Sequence, residues 1–477
     1  MQAAGGERIE ATTRAALGAL ALAIFVVAND FTALSVALPA IERDLDVDVS
    51  TVQWTINAYA LLFGVLTVTG GRLADLFGRR RMFIAGAAIF AVFSLVAAVA
   101  PSAGVLIAAR ALTAVGGALM WPATLGMTYA LLPASRQGLA GGLILGVVGL
   151  GNAVGPLLGG VLTESLGWRA ILALNVPVAA LAVAVVLRAV PALPGETGDR
   201  RFDWRGTAVL SCAVIALLLA LDEVDTWGWG DPRILGLFAA SAVLAAVLLP
   251  LERRAGDWAL IPRDVAANRE FRAAVVAVLF MSMTFFTALM YLPQFMEKIL
   301  DFSALGAGAG MLPLMVAFGA TSFVAGRLYE RLGAKRVVAA GAVCLPGGML
   351  LLSLVGISSG YGALVPGMVL LGLGTGLFYS AAFTAAVSSL APERASLASG
   401  IIYMFQVAGG SVGLGIATTI VSLSAGAEAE AGGAAGAGFV DGLQAAFRVS
   451  AGLAAVGFLI ALLYVGGRLV AGRRATA

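Results

Sequence analysis

The feature that most restricts this chain is the recurrence of apolar runs long enough to cross a bilayer. Read in windows of about 19 residues, the sequence contains fourteen such runs. They lie at 15–39, 52–71, 82–100, 104–127, 138–162, 169–189, 206–222, 233–251, 272–295, 304–326, 336–356, 361–389, 396–423 and 445–468. Hydrocarbon offers no partner to open backbone groups, so each run must close its own hydrogen bonds as a helix. The fold class is therefore all-α and integral to a membrane. Composition agrees: 60% of the 477 residues are hydrophobic and 12% charged, against about 25% charged in a soluble domain. The 61 glycines suit helices packed closely in lipid, and 30 basic against 27 acidic residues leave no excess for binding nucleic acid. There is no histidine, which excludes His-ligated zinc and Ser-His-Asp chemistry. Cys212 and Cys344 fall in apolar spans and read as small buried hydrophobes, not as a disulfide or metal pair. The first run is longer than a signal-peptide core and reads as retained.

The distribution of basic residues orients the spans. With the N-terminus in the cytoplasm, Arg43, Arg169, Arg233, Lys298 and Arg448 lie outside and Arg110 lies within a span, which leaves 24 of the 30 inside. The positive-inside rule then predicts both termini in the cytoplasm. An internal repeat organises the rest. "GRLADLFGRRRM" at 71–82 returns as "GRLYERLGAKRV" at 326–337, an offset of 255. Gly116, Arg136, Gly142, Gly151 and Gly155 return at an offset of 258 as Gly374, Arg394, Gly400, Gly409 and Gly413. The copies are an even number of spans apart, so they point the same way and form a parallel repeat about an axis along the membrane normal. The predicted plan is a tail at 1–14, a six-helix bundle at 15–189, a linker at 190–205 and an inserted helix pair at 206–251. A linker at 252–271, a second six-helix bundle at 272–468 and a tail at 469–477 complete it. "SAGAEAEAGGAAGAG" at 424–438 reads as a flexible low-complexity loop.

Two parallel six-helix halves and the duplicated "GRLADLFGRR" loop resemble the major facilitator superfamily. The inserted pair makes the chain similar to that family's fourteen-span drug:proton antiporters. Four further stretches carry the resemblance: "NDFTALSVALP" in the first span, with Asn29 where Leu is common, "VQWTINAYALL" in the second, "GNAVGPLLGG" in the fifth and "GWRAILALNVP" entering the sixth. The fourth span departs. Its "RALTAVGG" keeps Arg110 and Gly116 but has Thr113 for the family's Gln and Ala114 for a Gly, so no role of that Gln transfers.

Asp30 is the one acid deep in a span. An ionised carboxylate at a helix centre costs about 2.5–3.5 kcal/mol on insertion scales. It must be met by a proton, a cationic guest or a polar cavity, which makes it a candidate exchange site. The alternative is a packing acid bonded to Asn29, Thr32 or a neighbouring span. Arg110 keeps its charge and needs a carboxylate, carbonyls or water beside it. It is the candidate tuner of Asp30, unless it snorkels from the outer end of span 4. Gly151, Gly155 and Gly159 share one face and admit another helix, while Pro156 and Gly160 add a bend and a further close approach; together they predict a gating seam. At the cytoplasmic loop, Gly71, Asp75, Gly78 and Arg79 form a second gating candidate. There Asp75 caps a helix of the opposite half, with Glu330 as a weaker counterpart in the second copy. Candidate cavity residues are Asn57, Tyr59, Met120, Trp121, Tyr291, Gln294, Phe378, Tyr379 and Gln406, each also readable as a packing residue.

The expected function is a proton-coupled antiporter that exports lipophilic, cationic drugs across the cytoplasmic membrane by alternating access. An exporter of a lipid or a particular natural product is the alternative on the same fold. A non-transporting membrane sensor or enzyme would need a soluble domain or a catalytic constellation, neither of which is read here. No cofactor or metal is expected. The expected partners are a lipophilic small molecule, protons and membrane lipids, with a monomer as the working unit and no nucleic acid.

Overall fold

The computed structural model describes residues 11–190, 202–430 and 436–465, and among them it contains helices and no strand. The helices are α1 (Ala11–Leu45), α2 (Val49–Phe77), α3 (Arg79–Ala98), α4 (Ala103–Leu131), α5 (Gln137–Leu166), α6 (Arg169–Ala189), α7 (Trp204–Trp227) and α8 (Pro232–Ala255). After a short α9 (Arg263–Ala267) come α10 (Arg269–Lys298), α11 (Ala304–Gly310), α12 (Leu312–Leu332), α13 (Ala334–Leu352), α14 (Leu364–Ser388), α15 (Ala395–Glu430) and α16 (Ala437–Tyr464). Among the described residues fourteen segments are long and apolar enough to cross a membrane, with α11 and α12 sharing one of them. The protein is therefore a multi-pass membrane protein.

Local chemistry sets the helix ends. Asp48, Ser102, Asp203, Asn268 and Ser303 each accept a backbone N–H from the first turn of the helix they precede. Gly78 and Gly333, at φ +100° and +82°, turn the chain between α2 and α3 and between α12 and α13, in equivalent positions of the two repeats. The sequence reads 304–326 as a single helix, but it breaks at Met311. Pro313, in the first turn of α12, has no N–H to continue the helix from α11. The loop expected at 424–438 is helical as far as Glu430, because Ala and Glu favour helix over coil. The remainder of that stretch up to 435, residues 1–10 of the tail expected at 1–14, residues 191–201 of the linker expected at 190–205 and the tail expected at 469–477 lie outside the described residues.

The repeat is visible in the packing. In the first group α1 packs on α5 and α6, α2 on α4, and α3 on α4 and α6. In the second group α10 packs on α15 and α16, α12 on α14, and α13 on α14 and α16, contact for contact. The groups meet through two equivalent seams, α2 against α15 and α5 against α12. Helix α7 lies against α2 and α15, and α8 packs on α7 with little of its surface covered. Cys212 on α7 is exposed and Cys344 half-buried, so the reading of both as buried hydrophobes does not hold for Cys212. In lipid the outer surface of a bundle is as apolar as its core, so an apolar span does not by itself place a side chain inside.

Candidate functional site

Helices of the first bundle bring their polar side chains to one point. Asp30 on α1 and Arg110 on α4 are fully buried and form an ion pair with Oδ2 to Nη1 at 2.7 Å. Asn175 on α6 donates its Nδ2 to Asp30 Oδ1 at 2.6 Å and also reaches Ser94 Oγ on α3 at 3.4 Å. Arg110 Nε donates to the backbone oxygen of Thr55 on α2 at 3.2 Å, and its guanidinium lies 4.3 Å from the ring centroid of Tyr59, one turn further along α2. Arg110 therefore does not snorkel: its partners are polar groups inside the bundle, and reaching the interface would strand Asp30. Removing either partner of such a buried pair costs about 3–5 kcal/mol, because the other charge is left uncompensated. Three buried polar atoms around the pair, Asn29 Oδ1, Tyr59 Oη and Arg110 Nη2, have no protein partner. Orphaned polar atoms of this kind mark a place suited to a polar guest.

From this pair a run of aromatic rings leads to the seam between the bundles. Tyr59 stacks on Phe63 at 5.6 Å, and Phe63 meets Trp121 edge-on at 5.9 Å and Tyr403 at 5.3 Å. Trp121 and Tyr403 are themselves 4.9 Å apart. Tyr403 belongs to α15, so the chain of contacts crosses from the first bundle to the second.

Beyond the aromatic cluster the bundles are latched. Asp75, near the end of α2, accepts from the backbone N–H of Leu397 at 2.8 Å and of Ser396 at 3.3 Å, in the first turn of α15. Arg79 donates to Asp75 from Nε and Nη2 at 3.1 Å, and also to the backbone oxygens of Gly126 and Pro392, the second of these across the seam. Gly71 packs against the same helix start, where an added methyl would lie 2.5 Å from Ser396 O. At the equivalent place Glu330 of α12 accepts from Leu139 N, in the first turn of α5, at 3.2 Å. Both carboxylates sit where a helix dipole favours negative charge. Arg80 donates instead to Leu187 O, and Arg72 is buried.

Helix α5 uses its glycines on several faces. Gly151, Gly155 and Gly159 lie against Ala28, Thr32 and Ala33 of α1, so that part of the seam is internal to the first bundle and carries Asp30 on the other side of it. Gly138, Gly142, Gly146 and Gly149 lie against Gly326, Ser322, Phe323 and Gly319 of α12, at the inter-bundle seam. Pro156 and Gly160 approach Gly308 and Leu305 near α11.

The cavity candidates separate. Tyr59 and Trp121 belong to the aromatic run, and Met120 is buried beside them on α4. Gln406 on α15 is half-buried one turn from Tyr403. Tyr291 and Tyr379 direct their hydroxyls to Thr418 and Ser282 within the second bundle, both at 2.8 Å. Phe378 is buried on α14, its backbone against Gly341 of α13 and its ring 5.5 Å from that of Tyr379, and Gln294 accepts from Lys298 at the end of α10. Asn57 donates to Asp222 of the inserted helix α7 at 2.9 Å. Sequence reasoning missed Asn175, Phe63, Tyr403 and Asp222. The polar residue two places before Pro177 in an otherwise apolar span was the signal for Asn175; Phe63 and Tyr403 carried none.

Among the described residues no cluster of acids and cysteines could hold a metal ion. The chain matches the family model described as Major Facilitator Superfamily over residues 20–414. It is 33% identical to the puromycin resistance protein pur8 of Streptomyces alboniger, covering 91% of this chain and 87% of that one. It is 32% identical to the tetracenomycin C resistance and export protein of Streptomyces glaucescens, covering 83% and 74%. In fold it superposes on the human organic anion transporter MFSD10 with a TM-score of 0.66 at 17% identity, over 94% of this chain and 99% of the other.

Proposed function

The chain belongs to the major facilitator superfamily, and from that premise we propose that it is a proton-coupled antiporter exporting lipophilic, cationic compounds from the cytoplasm by alternating access. Its relatives are resistance and export proteins for antibiotics. The observation behind the coupling is the Asp30–Arg110 pair, fully buried and 2.7 Å apart. When a proton neutralises Asp30, Arg110 still holds the Thr55 carbonyl and the face of Tyr59. A cation–π contact of that kind is worth about 2 kcal/mol when desolvated. The guanidinium then moves within a polar pocket and is not expelled into lipid. Movement of Arg110 loads Tyr59, and through Phe63 it reaches Tyr403 of the other bundle. The proton is thereby linked to the seam that must open and close.

The latch end is the cytoplasmic end in this reading, because it carries the basic loops and the positive-inside rule assigns it there. Asp75 and Glu330 close that end by capping helices of the opposite bundle, and release of both caps exposes the cavity to the cytoplasm. Exchange of one proton for one monovalent cation moves no net charge, so the pH gradient alone drives it, at about 1.4 kcal/mol per pH unit. A second reading, a transporter dedicated to one natural product, is favoured by relatives each named for a single antibiotic.

One experiment tests both. Cells expressing the protein or its Asp30→Asn variant are profiled for resistance and efflux across cationic dyes, biocides, antibiotics and lipids, and the active compounds are followed in proteoliposomes under an imposed pH gradient. The amide should abolish gradient-driven uphill transport and spare downhill exchange. Wild-type pH dependence in the variant rules out this acid as the coupler. A profile confined to one compound selects the second reading.

A further inference from the structure

Further along the α2–α15 seam from the latch, α7 packs on both helices. The cleft between the three helices is lined by Trp54, Asn57 and Leu61 of α2, Leu218 and Asp222 of α7, and Val407 of α15. On α2 the three residues share one helical face at spacings of three and four, and on α7 Leu218 and Asp222 are one turn apart. Asn57 lies about 27 Å along α2 from Asp75 at 1.5 Å per residue, which separates the cleft from the latch, and Thr55 and Tyr59, which meet Arg110 of the buried pair, lie on another face of the same turns of α2. The amide of Asn57 holds Asp222 Oδ2 at 2.9 Å and so fixes the carboxylate at the cleft wall.

The lining defines the guest. The carboxylate disfavours anions and gives a neutral molecule without an O–H or N–H donor nothing that the apolar walls do not. Hard metal cations want six to eight oxygen ligands, and one carboxylate with the neighbouring Asn57 amide and Ser411 hydroxyl falls well short. A weakly hydrated ammonium with an apolar body uses the charge of Asp222, the indole of Trp54 and the aliphatic walls together. The cleft volume is about 70 Å³. At 10–15 Å³ per water-sized sphere that is room for roughly five waters, the space of a methylated ammonium head.

We propose that this cleft is a release-side binding station for the charged head of a lipophilic monocation, with Asp222 as counter-ion and Trp54 as its aromatic face. Its place in transport rests on the export function proposed above; its ligand chemistry does not. Because α7 lies outside the repeat, the second bundle has no equivalent, and the station is single. The inserted pair thus supplies a charge in the cleft lining, whose other residues on α2 and α15 are uncharged.

The test uses the full chain in lipid nanodiscs and equilibrium dialysis of benzyltrimethylammonium beside its neutral carbon isostere, neopentylbenzene, with empty nanodiscs subtracted. Asp222→Asn should weaken ammonium binding roughly tenfold and Trp54→Leu roughly fivefold, with the neutral isostere unaffected. Asp222→Glu should retain binding within about threefold, since the charge remains. Unchanged ammonium binding in Asp222→Asn, or equal losses for both ligands, overturns the proposal. Transport in proteoliposomes is scored separately. Wild-type protein that binds the cation with these dependences but moves no compound would refute the export function and leave the station standing. Normal cation export with wild-type binding in Asp222→Asn would refute the station alone.

Discussion

Replacing Asp75 by Asn addresses the latch with almost no change of shape. The carboxylate is met by donors only: the N–H groups of Ser396 and Leu397 and two from Arg79. An amide turned either way therefore points its NH2 at another donor. The Arg79 contacts lie within the first bundle and are available in every conformation, whereas those to Ser396 and Leu397 exist only when the seam is closed. The cost that falls on the closed state is a charge at a buried helix N-terminus, up to about 2 kcal/mol, together with a charge-assisted hydrogen bond worth about 1.5–3 kcal/mol. These overlap, since they describe the same N–H groups, and a combined loss of about 2 kcal/mol shifts the closed-to-open ratio roughly thirtyfold. Spin labels at Pro133→Cys and Leu332→Cys, both exposed and on opposite bundles at the latch end, report that ratio by pulsed electron spin resonance. Cys212 and Cys344 are replaced by Ala in this background. The variant should populate the longer distance while expression and cargo affinity stay near wild type and turnover falls. A distance distribution that superposes on the wild-type one, or cargo affinity lost in proportion to transport, would refute a conformational latch.

Two further outcomes are expected. Gly159→Ala should lower the melting temperature of the purified protein, because its methyl would overlap the Ala33 carbonyl in a backbone-to-backbone contact. Overpacking of that kind costs about 1–3 kcal/mol, whereas Gly104→Ala, which meets no neighbour within 4 Å, should melt like wild type; equal melting of the two variants would refute the tight α1–α5 contact. Impermeant thiol reagents should label a cysteine at position 230 from outside intact cells and cysteines at 136 and 334 only after permeabilisation. Outside labelling at 136 or 334 would invert the orientation of the latch.

Several elements of this protein were legible in the residues because a bilayer removes alternatives. An apolar run of membrane length must be a helix, so the spans followed from hydropathy, and the parallel repeat followed from "GRLADLFGRRRM" and its copy. The same duplication pointed to Asp75 and Glu330 as paired helix caps, because a carboxylate among basic residues at a tight turn has few other uses. What hydropathy could not decide is which face of a span lies inside, since lipid and protein core are equally apolar. Cys212 went to the wrong side for that reason, and Phe63 and Tyr403 were indistinguishable from any other aromatic in a span. The sequence reads Arg110 as the tuner of Asp30 with snorkelling as the alternative, and the packing decides between them; Asn175, 145 residues from Asp30, stayed hidden, because no local pattern couples the two. Only tertiary packing brings these residues to one point, as it brings Asp222 of the inserted helix to Asn57: a single charge in lipid announces that it needs a partner, but the crossing of helices decides which one it gets.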